Sequence, residues 1–247
     1  MSLVLFLVGG AATGVLFGAL AGSGGRRRAV DSEESHEREL PEGESPELPV
    51  EVVRPKPAGA AFAEGIERPL WPLRTRHPRR GVVSYRGVDG KVRGNWARRF
   101  AASREGERRR RHAGIDLFAF AGDAVLAMAD GTVTAVQSFH LGSWAVLVDH
   151  GSVVVLYGEV DKGSWTRLGV QVGSRVTAGQ PIAEVACMVR DEDGKCTSHM
   201  LHLETYAPGT TKNQRWYAGE DAPPALRDPS LLLLLAAQEA TTPASVA

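Results

Sequence analysis

The residues best suited to do chemistry fall in two short stretches. In the first, "RRHAGIDLF", His112 and Asp116 stand four apart. That even spacing puts both on one side of an extended chain, and Gly114 between them disfavours a helix. In the second, "CTSHMLHLETY" (residues 196–206), period-two alternation places Met200, His202 and Glu204 on one face of a strand and His199, Leu201 and Leu203 on the other. Only one of the two histidines can therefore join a site on the first face. Imidazole and carboxylate are both good zinc ligands, so His112, Asp116 and His202 could supply three. Between the two stretches, "VVVLYGEV" holds Glu159, an acid in an otherwise apolar strand.

The elements that must position these residues are strands. "AVLAMADGTVTAV" turns at Asp130-Gly131, "SWAVLVDHGSVVVLYGEV" at His150-Gly151, and "VQVGSRVTAGQPIAEV" at Gly173-Ser174 and Ala178-Gly179. Short Val-rich strands with Gly turns imply an all-β, mainly antiparallel fold, with no helix of ordinary length between Val82 and Tyr206. The "LLLLLAA" run at 231–237 is too short to span a membrane and is expected as a strand or closing turn of the core. His140 and His150 flank hairpin turns and are expected to be structural. Arg108 to Arg111 directly precede His112 and either rim the site or lie in a solvated loop. Cys187 and Cys196 bracket the polar "MVRDEDGK", where a bridge would form in an oxidising compartment and two free thiols would persist otherwise.

Outside this region the chain changes character. Residues Leu3 to Gly22 are almost wholly apolar, enough to cross a bilayer as a helix, so 1–25 is expected to be a transmembrane anchor or signal segment. Residues 26–67, rich in Glu, Pro, Ala and Ser, form the expected disordered tether; 68–238 form the compact domain, and 239–247 a disordered tail. Arg26 to Arg28 would place the following segment in the cytoplasm by the positive-inside rule, against an extracytoplasmic domain. The 247 residues are 43% hydrophobic and carry zero formal net charge, which gives no reason to expect nucleic acid as a partner. That zero conceals nine acids and one Arg between Asp31 and Glu51, against fourteen Lys or Arg and three acids between Arg74 and Arg111. A carrier domain is excluded because no Lys stands at the tip of "AMADGTV" to hold a swinging prosthetic group.

From about Trp71 to Leu235 the chain resembles the lysostaphin-type, or LytM-like, zinc endopeptidases, which cleave peptide cross-links of bacterial peptidoglycan. "HAGIDLFAFAGDAVLAMADGTVTAV", "VLVDHGSVVVLYGEV", "VGSRVTAGQPIAEV", "LHLE" and "DPSLLLL" carry the resemblance. It implies an antiparallel sheet flooring a groove, of the duplicated hybrid motif type, with Zn2+ held by His112, Asp116 and His202. It also implies two departures. Met200 stands where active members have the first His of H-x-H, and Glu159 where they have another His. Met offers only a weak acceptor sulfur, so catalysis is expected to be impaired. Glu159 is then a replacement general base or a fourth ligand that closes the site. The resemblance further implies a domain anchored in the inner membrane by its N-terminal helix and facing the periplasm. There it would contact peptidoglycan, either regulating a separate cell-wall hydrolase or, with Glu159 as base, cleaving cross-link peptides itself.

Overall fold

The computed structural model describes residues 66, 68–104 and 109–241. The expected anchor, nearly all of the expected tether, Arg108 and the last six residues lie outside the described residues. Among the described residues no helix is long and apolar enough to cross a membrane.

Sixteen strands follow in order: β1 (Leu73–Arg74), β2 (Tyr85–Arg86), β3 (Val92–Arg93), β4 (Ser103–Arg104), β5 (Arg110–Arg111), β6 (Ile115–Phe118), β7 (Ala124–Leu126), β8 (Gly131–Ser138), β9 (Trp144–Asp149), β10 (Val154–Val160), β11 (Arg175–Val176), β12 (Pro181–Glu184), β13 (Val189–Arg190), β14 (Cys196–Ser198), β15 (Met200–Tyr206) and β16 (Leu226–Arg227). A 3-10 turn at Trp96–Arg98 and two helices, α1 (Ser164–Arg167) and α2 (Ser230–Thr241), complete the described elements. Every strand pairing is antiparallel, as the Gly-punctuated Val runs imply. A seven-stranded sheet runs β11-β8-β9-β10-β15-β16, with β6 also paired to β15, and a smaller sheet runs β1-β7-β12.

The alternation of the large sheet sorts side chains into two environments. Ile115, Leu117, Val155, Tyr157, Leu201 and Leu203 face the main core, which also takes Leu73, Val125 and Ile182 from the small sheet. Ala145, Leu147, Val154, Leu156 and Tyr206 face a second, smaller cluster on the opposite side. Asp116, His202 and Gly158 lie in one row across β6, β15 and β10, on that second side.

The leucine run corrects the expectation of a strand or closing turn. Residues 230–241 form α2, and Leu232, Leu233 and Ala236 enter the main core while Leu235 is exposed. Leu and Ala are strong helix formers without β-branching, and burial at i, i+1 and i+4 is the helical stripe. Asp228 accepts hydrogen bonds from the Ser230 N–H and hydroxyl at its start. The helix runs three residues past the expected domain end at 238.

Candidate metal centre

His112, Asp116 and His202 converge. His112 Nε2, Asp116 Oδ1 and His202 Nδ1 lie 3.0, 2.8 and 3.1 Å from one another, and all three residues are buried. Four ligands at tetrahedral zinc distances stand about 3.3 Å apart, so a few tenths of an ångström of expansion would admit the ion. Among the described residues this is the one cluster of three or more such side chains with metal-binding spacing.

The sequence folds this way for identifiable reasons. β15 pairs with β6 in a register that sets His202 opposite Asp116 and Met200 opposite Phe118. His112 arrives just before β6, and the chain between the two ligands passes against the His202 ring. A Cβ on Gly114 would lie 2.8 Å from His202 Nε2 and would also overlap the Leu203 carbonyl, so only glycine permits this approach.

Each ligand is held from behind. His112 Nδ1–H donates to the Arg99 carbonyl at 2.8 Å and His202 Nε2–H to Glu204 Oε1 at 2.9 Å, which turns the remaining nitrogen lone pairs of both rings toward the centre. Tyr206 donates its hydroxyl proton to Glu204 Oε2 and accepts from the Gln214 N–H. Arg104 donates to Asp116 Oδ2 at 2.9 Å, leaving Oδ1 for the centre. Burial opposes the charge on Asp116, but both histidines stabilise it and hold its carboxyl well below the usual range. Burial also disfavours protonated histidine, and it lowers His112. His202 responds in the opposite direction: hydrogen bonds to Asp116 and Glu204 outweigh its burial and push it up to about 10. The two rings differ because His202 faces two carboxylates and His112 shares one. Without metal, the proton on His202 takes the place of a cation between the acceptors.

The cluster opens into a groove of about 480 Å³, also lined by Glu159, Met200, Phe139, His140 and Trp216. Alternation along β10 would send Glu159 to the main core with Val155 and Tyr157. A bulge between Gly158 and Val160, with Glu159 at φ +61°, turns its side chain into the groove instead. The carboxyl is 7% exposed, and its Oε2 has no hydrogen-bond partner among the described residues. Burial, reinforced by Asp116, pushes it up to about 7. It does not belong to the three-residue cluster, so the expectation of a fourth ligand closing the site has no support in this geometry. Met200 also lines the groove, and Arg98 Nη1 lies 3.9 Å from its sulfur while the guanidinium covers the Phe118 ring at 4.2 Å.

Other sequence candidates fall on both sides of expectation. His199 lies off the centre against Phe120. His150 is structural, bridging the Asp130 carbonyl and the Tyr157 hydroxyl. His140, expected to be structural, lines the groove together with Phe139 and Leu141 of the β8–β9 turn. Arg110 and Arg111 line the groove, and Cys187 is bridged to Cys196 across the β13–β14 ribbon. Sequence reasoning assigned no role to Arg104, Tyr206 or Glu204, although alternation had placed Glu204 on the His202 face.

Comparison with known proteins gives the centre a family. A search of curated proteins returns no match. Among solved structures, the chain is similar to Helicobacter pylori Csd3 (18% identity, 70% of this chain and 41% of that one, TM-score 0.38). It is also similar to LytU (24%, 57% and 85%, 0.40) and to the catalytic domain of the antimicrobial peptidase lysostaphin from Staphylococcus simulans (21%, 50% and 79%, 0.35). The chain thus spans about two fifths of the Csd3 chain. Residues 110–214 match the profile of peptidase family M23, a segment that contains all three converging ligands together with Glu159 and Met200. The segment from 110 to 214, and with it the candidate metal centre, belongs to peptidase family M23.

Proposed function

We propose that this domain binds zinc through His112, Asp116 and His202 and holds peptides of peptidoglycan in its groove as a binding or regulatory module for wall hydrolysis, with its own hydrolysis impaired. The observation that carries the reading is the pairing of a complete, rigidly backed ligand set with Met200 at the groove wall beside it. Zinc, when bound, polarises a carbonyl and makes water acidic enough to attack it near neutral pH. The protein must still move protons and stabilise developing charge. A thioether cannot donate or take a proton, and the Arg98 guanidinium against its sulfur cannot act as a base. Loss of one such group costs on the order of 10²- to 10³-fold in rate. A separate wall hydrolase, bound beside the groove, is the partner this reading calls for.

One observation favours a second reading, a working peptidase. Glu159 is buried, unpartnered at Oε2 and pushed up to about 7, which suits a general base near neutrality, and its left-handed backbone is the kind of strain that collects at functional sites. Placement in the periplasm, anchored by residues 3–22, is supported by the Cys187–Cys196 disulfide, since such bridges persist outside the reducing cytosol.

Digestion separates the two readings. Zinc-loaded protein incubated with purified peptidoglycan is expected to co-sediment with it and to release no new peptide amines over buffer. Zinc-dependent release that disappears in Glu159→Ala would establish the peptidase instead.

A further inference from the structure

The charge lining the groove is unevenly satisfied. Both oxygens of Asp116 are engaged, Oδ1 by the two histidines and Oδ2 by Arg104. Both oxygens of Glu204 are engaged by His202 and Tyr206. Arg111 donates to the Ser103 hydroxyl at 3.2 Å. Arg110 and Arg215 also line the groove, are exposed, and make no side-chain hydrogen bond or ion pair among the described residues. The segments that carry them adjoin: Arg110 bridges Tyr217, the Arg111 N–H donates to the Trp216 carbonyl at 2.8 Å, and the Ala218 N–H donates to the Arg109 carbonyl. Two guanidiniums without a partner among the described residues thereby line, from adjoining segments, a groove whose metal centre would add further positive charge when loaded.

We propose that Arg110 and Arg215 form a clasp for a free carboxylate, so that the groove selects peptides that end in, or carry, an unamidated carboxyl group. This deepens the peptide-binding reading and rests on it. A guanidinium presents a planar fork of donors that a carboxylate fills with two parallel hydrogen bonds. In the same groove Trp216, packed on Phe100 at 5.5 Å, and Phe139 supply apolar walls. Inorganic phosphate would satisfy the charge but leave those walls uncovered; a peptide satisfies both.

The test uses the full chain loaded with zinc and an N-terminally fluorescent tetra-alanine peptide, compared with its C-terminal amide by fluorescence anisotropy. The free acid is expected to bind at least about tenfold more tightly than the amide, a typical effect of one charge-assisted pair. Arg110→Gln/Arg215→Gln should erase that difference by weakening the acid alone. Arg74→Gln/Arg175→Gln, the same charge change away from the groove, should preserve it. Zinc content and far-UV circular dichroism establish that each variant is folded and loaded. Equal affinity of acid and amide overturns the clasp, as does displacement of the acid by equimolar inorganic phosphate, which would mark a general anion site. If neither peptide binds while the protein still sediments with peptidoglycan, the clasp fails and the peptidoglycan reading stands; if sedimentation is also lost, both fail.

Discussion

The two walls of the groove are built on different principles. On the β6–β15 side each ligand is backed by a hydrogen bond: the Arg99 carbonyl behind His112, Arg104 behind Asp116, and Glu204 with Tyr206 behind His202. On the β10 side Glu159 is turned inward by a bulge, strained at φ +61°, and left with an unpartnered buried oxygen, and at the outer end of β15 Met200 offers the groove only sulfur. A satisfied network rigidifies; an unsatisfied buried carboxyl makes the folded state less stable and adjustable in charge. On the proposed reading, metal binding and proton handling would thus reside in physically separable parts of one site, and the second could change while the first stays intact.

Removing a ligand should break the comparison most severely. His202→Ala is expected to abolish stoichiometric zinc binding, measured by elemental analysis after dialysis; retained zinc would mean that the cluster is not the site. Glu204→Gln is milder because it disturbs only the group that orients His202. Its zinc affinity should fall about 10- to 100-fold, the usual cost of losing such a partner, read by competition with a chromophoric chelator.

The two walls should also separate by pH in the metal-free protein. Glu159, raised to about 7 in the folded state, binds its proton more tightly there than in the unfolded chain, so its contribution to stability falls as pH rises from about 4.5 to 7. His202, raised to about 10, contributes stability that is complete below about 6.5 and is lost as pH rises through 10. Thermal unfolding of Glu159→Gln should therefore lose the lower window only, gaining on the order of 1–3 kcal/mol over wild type at pH 8 and little at pH 4. An identical pH profile in variant and wild type would show that Glu159 is not held in its raised state. Zinc, which displaces the His202 proton, should remove the upper window alone and bind more tightly as pH rises toward 10.

Much of this site was legible in the sequence, for reasons that also explain what was not. The alternation through Met200, His202 and Glu204 survives folding because strand periodicity is local and fixed; His112 lies outside a strand, between β5 and β6, and meets Asp116 across the bend at Gly114. The Gly-punctuated Val runs likewise identify antiparallel strands. The direction of Glu159 was hidden, because one bulge reverses the face that alternation assigns, and no residue type in "VVVLYGEV" announces it. Arg104 and Arg98 come from the segment just before the first motif, and only tertiary packing brings Arg104 to Asp116 and Arg98 to Met200. The leucine run was not legible because a short apolar stretch fits a buried strand or a buried helix; propensity for helix, supported by Asp228 at its start, decides the outcome.

The central claim is that the ligand wall is intact and the proton-handling wall is not, and Met200→His combined with Glu159→His tests it most directly. Peptide release from purified peptidoglycan by zinc-loaded wild type and double variant, at equal zinc content, is the measurement. The variant is expected to exceed wild type by about 10²-fold or more, the scale attributed to general acid–base groups. No gain in a folded, zinc-loaded variant, beside an inactive wild type, would contradict it and leave the metal centre with a structural role.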